Sequence, residues 1–155
     1  MRYNQLGNTG MFVSELCLGT MTFGAAGENA RWGLIASLDQ KGVNEIVARS
    51  LAAGVNFFDT ADVYSFGESE RLLGQSVKNL GVRRSDVVIA TKVHGAMGSG
   101  PNDRGSSRGH IMGLIDASLE RLQTDHIDLY QLHGTDTGTP IDETLKALDD
   151  LVARG

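Results

Sequence analysis

At 155 residues, with 41% hydrophobic residues, 21% charged residues and a net charge of −5, the chain has the make-up of one globular domain spanning 1–155. That acidic balance leaves no basic stripe to neutralise phosphates, so neither nucleic acid nor an anionic membrane is expected as a partner. The lone cysteine, Cys17 in "ELCLG", rules out an intrachain disulfide, suits a reducing compartment and is expected to be a buried structural thiol.

No apolar run approaches the ~20 residues of a membrane helix, and "MRYNQLGNTG" lacks the apolar centre of a secretion signal. The expected location is therefore cytoplasmic. "RYNQLG" and "MFVSE" flank the turn signal "NTG" and predict a small hairpin. "SELCLGTM" reads as a buried strand, and "FGAAGENARWGLIASLDQ", rich in Gly and Ala without a period, reads as a long loop.

From there a pattern recurs. Val43, Ile46, Val47, Ser50 and Leu51 fall on one helical face that Gly54 should stop, and "VNFF" follows as a strand. Leu72, Leu73, Val77 and Leu80 mark a second helix, punctuated by Gly81 and followed by "DVVIATK". Ile111, Leu114, Ile115, Ser118, Leu119 and Leu122 form a third stripe, followed by "HIDLYQLH". A last helix is expected to open with Thr139 as N-cap, Pro140 in the first helical position and Asp142 three residues past the cap. Strands alternating with amphipathic helices predict right-handed βαβ units on a parallel sheet. Four such units are half of a (β/α)8 barrel, which takes ~250 residues.

Chemistry in parallel α/β folds gathers at the carboxyl ends of strands. Here the second strand runs to Asp59, the third to Lys92 and the fourth to His133, each after an apolar or β-branched run. Adjacent strands lie ~4.8 Å apart, so the three side chains fall within mutual reach, and Tyr64 on the loop after Asp59 can fold back over them. A free phenol, with a pKa near ~10, gives up its proton reluctantly. An ammonium beside it would stabilise the phenolate, a carboxylate would pair that ammonium, and an imidazole could orient a carbonyl oxygen. The expected chemistry is proton donation to a carbonyl oxygen while a nucleophile reaches its carbon.

The segments "LCLGTMTFG", "GVNFFDTADVYSFGESE", "DVVIATK" and "SLERLQTDHIDLYQLHGTD" closely resemble the aldo-keto reductases. The resemblance implies a TIM-type α/β barrel, represented by its first four βα units behind an N-terminal hairpin. It also implies NADPH-dependent reduction of aldehydes and ketones, with a small carbonyl substrate. On the matching motifs the catalytic tetrad is Asp59, Tyr64, Lys92 and His133, with Tyr64 as proton donor. The cofactor-binding positions are Gly19, Thr20 and Met21, together with Asp59. By the same resemblance, the adenosine and its 2′-phosphate are held by loops after the seventh and eighth strands, which lie beyond these residues.

Taken singly, Asp59 could cap a turn, Tyr64 could be a loop aromatic and His133 a core histidine; their convergence favours a site. His110 and His126 read as structural or solvated, His94 as a candidate for the pocket mouth, and Trp32 as a candidate cover for substrate. Asp136 reads as steering the loop after His133. No histidine and carboxylate spacing suggests a metal, and the Gly-rich run after Lys92 follows no phosphate-loop spacing. Two other readings stand beside the reductase. One is an aldolase-like barrel with Lys92 as Schiff-base nucleophile; the other is an inactive half-barrel or assembly fragment. Four strands leave two sheet edges open, so self-association through those edges is expected.

Overall fold

The computed structural model describes residues 1–24 and 35–155. Trp32 lies outside the described residues, with most of the predicted long loop. Strands β1 (Tyr3–Gln5) and β2 (Phe12–Ser14) pair antiparallel, as the turn signal requires. Four parallel strands follow in sequential order: β3 (Leu18–Gly19), β4 (Phe57–Asp59), β5 (Val88–Val93) and β6 (Leu129–Leu132).

Between and after them lie α1 (Gln40–Ala52), α2 (Glu68–Asn79), α3 (Arg108–Leu122) and α4 (Ile141–Arg154). Asp39 caps α1 by accepting from the Gly42 amide, and Ser107 caps α3 by accepting from that of His110. The predicted cap of α4 does not form. Thr139 instead donates its hydroxyl to Asp136 at 2.8 Å, and the helix starts one residue later, with Pro140 in the cap position and no side-chain bond.

The two faces of the sheet differ in chemistry, because successive side chains of a strand point to opposite sides. One face joins the helices in a core of Phe58, Ile89, Val43, Val47, Leu73 and Leu122. A smaller core holds Val93, Ile111 and Ala147. The register sets Gly19 beside Asp59, Asp59 beside Ala90 and Lys92 beside Gln131. This alternation puts Asp59, Lys92 and Gln131 on the face opposite the core. Cys17 corrects the expectation of a buried thiol: it is exposed. The predicted buried strand contracts to Leu18–Gly19, whose one sheet neighbour among the described residues is β4. Among the described residues no helix is long and apolar enough to cross a membrane.

Candidate active site

Lys92 is the hub. It sits one residue before the end of β5, and its Nζ donates to Asp59 Oδ2 at 2.5 Å, to the Thr60 carbonyl at 2.9 Å and to the Tyr64 hydroxyl at 3.2 Å. The ammonium also lies 4.8 Å from the centre of the Tyr64 ring, close enough for a cation–π attraction. The Lys92 and Asp59 side chains keep only 13% and 28% of their exposure, so each needs the other as a counter-charge. An amine donating to three acceptors is held as an ammonium and offers no lone pair to a carbonyl carbon, which disfavours the Schiff-base reading.

Asp59 is fixed from a second side by Gln131, whose amide Nε2 donates to Oδ1 at 3.0 Å. The sequence reading missed this residue. Its signal was available: Gln131 lies two positions before His133, the spacing that sets two side chains of an extended run on one side. His133 follows directly on β6, and its ring meets the Tyr64 ring edge-on, with centres 5.4 Å apart and planes at 81°. Partial burial and then the charge of Lys92 hold the imidazole below its usual range, against an opposing pull from Asp59. At neutral pH it is therefore neutral, able to donate from one ring nitrogen. All four expected residues meet at one rim.

The first-strand residues separate into two kinds. A Cβ placed on Gly19 would meet nothing within 4 Å, and Met21 is 43% exposed, so they form an open ledge beside Asp59 that suits the approach of a flat ring. Thr20 is fully buried. Its amide and its hydroxyl both donate to the Asp59 carbonyl, at 2.9 and 3.1 Å, and its hydroxyl touches that of Ser69 at 2.8 Å. Thr20 thus braces the strand end that carries Asp59 and offers no side-chain contact to a ligand.

The loops after β5 and β6 are clipped together beside His133. Asp136 accepts from the amides of Ser106 and Gly138 at 2.7 and 2.9 Å and from the Thr139 hydroxyl at 2.8 Å. These bonds, the Ser106 one foremost, hold its carboxyl down at about 2. His94 adopts a positive φ of 149° and contacts the Ser106 hydroxyl through Nδ1 at 3.1 Å. A Cβ on Gly134 would lie 3.0 Å from the His94 ring, so this imidazole lies against the residue next to His133. His110 is buried near His94 and Gly95 in the loop after β5, and His126 is exposed beside Asp125, in the turn before β6.

A parallel βα half-barrel that carries Asp, Tyr, Lys and His at the carboxyl rim of its second to fourth strands, behind an N-terminal hairpin, has the architecture of an aldo-keto reductase. The family model described as the aldo/keto reductase family matches residues 15–155, and the chain belongs to that family. A probable voltage-gated potassium channel subunit beta from Arabidopsis thaliana is 42% identical, over all of this chain and 44% of its own length. The uncharacterized oxidoreductase YrpG of Bacillus subtilis is also 42% identical, with 47% of its length covered. Among solved structures, the holo form of aldo-keto reductase AKR11C1 from Bacillus halodurans superposes with a TM-score of 0.83 at 37% identity, over all of this chain and 47% of that one. The chain thus spans about half the length of the relatives it matches.

Proposed function

We propose that the chain carries the proton-donating site of an NADPH-dependent reductase of aldehydes and ketones. One observation carries this reading: a single ammonium bonded at once to a carboxylate, a backbone carbonyl and a tyrosine hydroxyl. Tyr64 delivers its proton to the substrate oxygen, and Lys92 stabilises the negative charge that grows on the phenol oxygen as the proton leaves. Asp59, held by Gln131, keeps Lys92 charged and in place. Neutral His133 donates a hydrogen bond that orients the carbonyl. Gly19 and Met21 would hold the nicotinamide beside Asp59, with Thr20 bracing the ledge from below. The bound cofactor supplies the hydride that reaches the carbonyl carbon.

The names of the relatives divide between oxidoreductases and a channel subunit, so the choice rests on the four side chains. A second reading is favoured by the span of about half the relatives' length: residues 1–155 hold the site without turning over by themselves. Titration of the chain with NADPH, followed by nucleotide fluorescence, and a comparison with Tyr64→Phe on a simple aldehyde separate the two. Turnover in the parent that falls 10²- to 10⁴-fold in Tyr64→Phe, with cofactor binding retained, is the expected result. Binding without turnover in the parent supports the second reading. Equal turnover in both proteins defeats the assignment of Tyr64. We place the protein in the cytoplasm on the strength of its lone thiol.

A further inference from the structure

Between Tyr64 and α2 the backbone makes a turn of the wrong hand. Ser65 (φ 50°, ψ 35°), Phe66 (φ 53°, ψ 47°) and Gly67 (φ 87°, ψ −8°) are all left-handed in succession. L-residues visit this region singly and rarely in a row, because Cβ crowds the following carbonyl. Such strain persists only where the surroundings impose it, and it collects at functional sites.

Two supports impose it here. On one side the Ser65 hydroxyl donates to the Phe23 carbonyl at 3.2 Å. On the other, Gly67 is buried under Arg121: a Cβ there would lie 2.5 Å from Arg121 Cδ and 2.7 Å from its Nε. Arg121 is itself locked. Its Nε donates to Glu70 Oε2 at 2.6 Å, and its Nη2 donates to the Ser118 hydroxyl at 3.1 Å. Glu70, wholly buried, accepts from the Thr91 hydroxyl on its other oxygen at 2.6 Å. Thr91 precedes Lys92 in β5 but faces the helices. A continuous chain of bonds and contacts therefore runs behind the sheet, from the neighbour of Lys92 through Glu70 and Arg121 to the turn that carries Tyr64.

We propose that Arg121 and Glu70 are positioning residues that hold the left-handed turn down and so set the Tyr64 hydroxyl on the Lys92 ammonium. Neither touches the rim. The clamp deepens the reductase reading and rests on it for its catalytic consequence, while its geometric consequence stands alone. The turn accepts its strain because the alternative, a relaxed turn, would lift Gly67 off Arg121 and the phenol off Lys92.

The test uses the whole chain, with the Hε1 resonance of His133 as readout, because the edge-on Tyr64 ring at 5.4 Å displaces it by ring current. A His133→Gln control assigns the resonance among the histidines, and Tyr64→Leu marks its position without the ring. Arg121→Lys keeps a cation for Glu70 but loses the guanidinium over Gly67. In folded Arg121→Lys the resonance is expected to move most of the way to the Tyr64→Leu position. Its kcat for benzaldehyde with NADPH is expected to fall about 10²-fold at nearly constant KM, the loss typical of a 1 Å misplacement. A purely structural Arg121 would lower stability and leave the resonance in place, and that outcome overturns the proposal.

Phe66→Gly supplies a second arm should Arg121→Lys fail to fold. It relieves the strain without touching the clamp, so stability should rise while the resonance stays at its parent position. Displacement as large as in Tyr64→Leu, with Arg121 intact, would show that the clamp does not hold the turn. A resonance that moves as expected in a chain that never reduces benzaldehyde supports the clamp and favours the second reading, in which residues 1–155 hold the site without turning over by themselves. Turnover in the parent with an unmoved resonance in Arg121→Lys does the reverse.

Discussion

Asp62, two residues before Tyr64, is wholly buried, and neither carboxyl oxygen has a hydrogen-bond partner among the described residues. Burial first, and the neighbouring Glu70 second, push its carboxyl up from 3.8 to about 7, while the dipole of the adjacent Val63 amide first, then Arg121 and Lys92, pull the other way. Tyr130 reports the same pocket: burial, Asp62 and Glu70 all raise its phenol above the ordinary range. The folded protein therefore keeps a proton on Asp62 that the unfolded chain has already released by pH 5. Its stability must fall as pH rises from about 4 to about 7, and this contribution is flat above that. At about 1.4 kcal/mol per pH unit, the gap from 3.8 to about 7 is worth about 4 kcal/mol. Asp62→Asn mimics the neutral acid and abolishes the slope. After allowance for an unpaired buried amide, at ~1–3 kcal/mol, the variant should match the parent within ~1 kcal/mol near pH 4.5. It should exceed the parent by ~2 kcal/mol near pH 8. Urea unfolding followed by circular dichroism would show this as a midpoint about 1 M higher at pH 8, for a slope of ~2 kcal/mol/M. Depressed His110 and His133 contribute an opposite loss on acidification, common to both proteins, so the difference between the two curves isolates Asp62. Parallel curves, with the variant weaker at every pH, would refute the reasoning.

Gln131→Leu removes the second donor to Asp59 and should cost ~1.5–3 kcal/mol, as loss of a hydrogen bond to a charged group does. Thermal unfolding measures this, and turnover should drop with it while NADPH affinity holds. Gly74→Ala would set a Cβ 2.3 Å from the Leu122 carbonyl where α2 crosses α3. The ~1 kcal/mol gained in helix propensity cannot offset that backbone clash, so net destabilisation of ~1–3 kcal/mol is expected in urea titrations. The outer edges of β3 and β6 have no sheet partner among the described residues. We therefore expect concentration-dependent self-association of this chain in sedimentation velocity; a stable monomer at high concentration would count against it.

The rim was legible in the sequence because parallel strands advertise their ends. An apolar run that meets Asp59, Lys92 or His133 has left the core, and Tyr64 stands close enough to Asp59 to return to it. The helices were legible from their apolar period, and the structure keeps them with small shifts at the ends. Gln131 escaped notice because one polar residue in an alternating strand looks like ordinary solvent exposure until the register sets it beside Lys92. Thr139 misled as a cap because local spacing does not reveal that Asp136 competes for its hydroxyl. Cys17 misled because an apolar neighbourhood in sequence does not say whether a strand has cover on both sides.

The clamp lay furthest from reach. Arg121 and Glu70 are 51 positions apart, and each in isolation is an ordinary charged helix residue. Sequence alone determined what is periodic or local: element type, strand ends, and the residue types delivered to the rim. Only the tertiary structure decided which of those groups share a proton, a counter-charge or a strained turn. Such interactions depend on distances of a few ångströms between segments that the chain's order does not bring together.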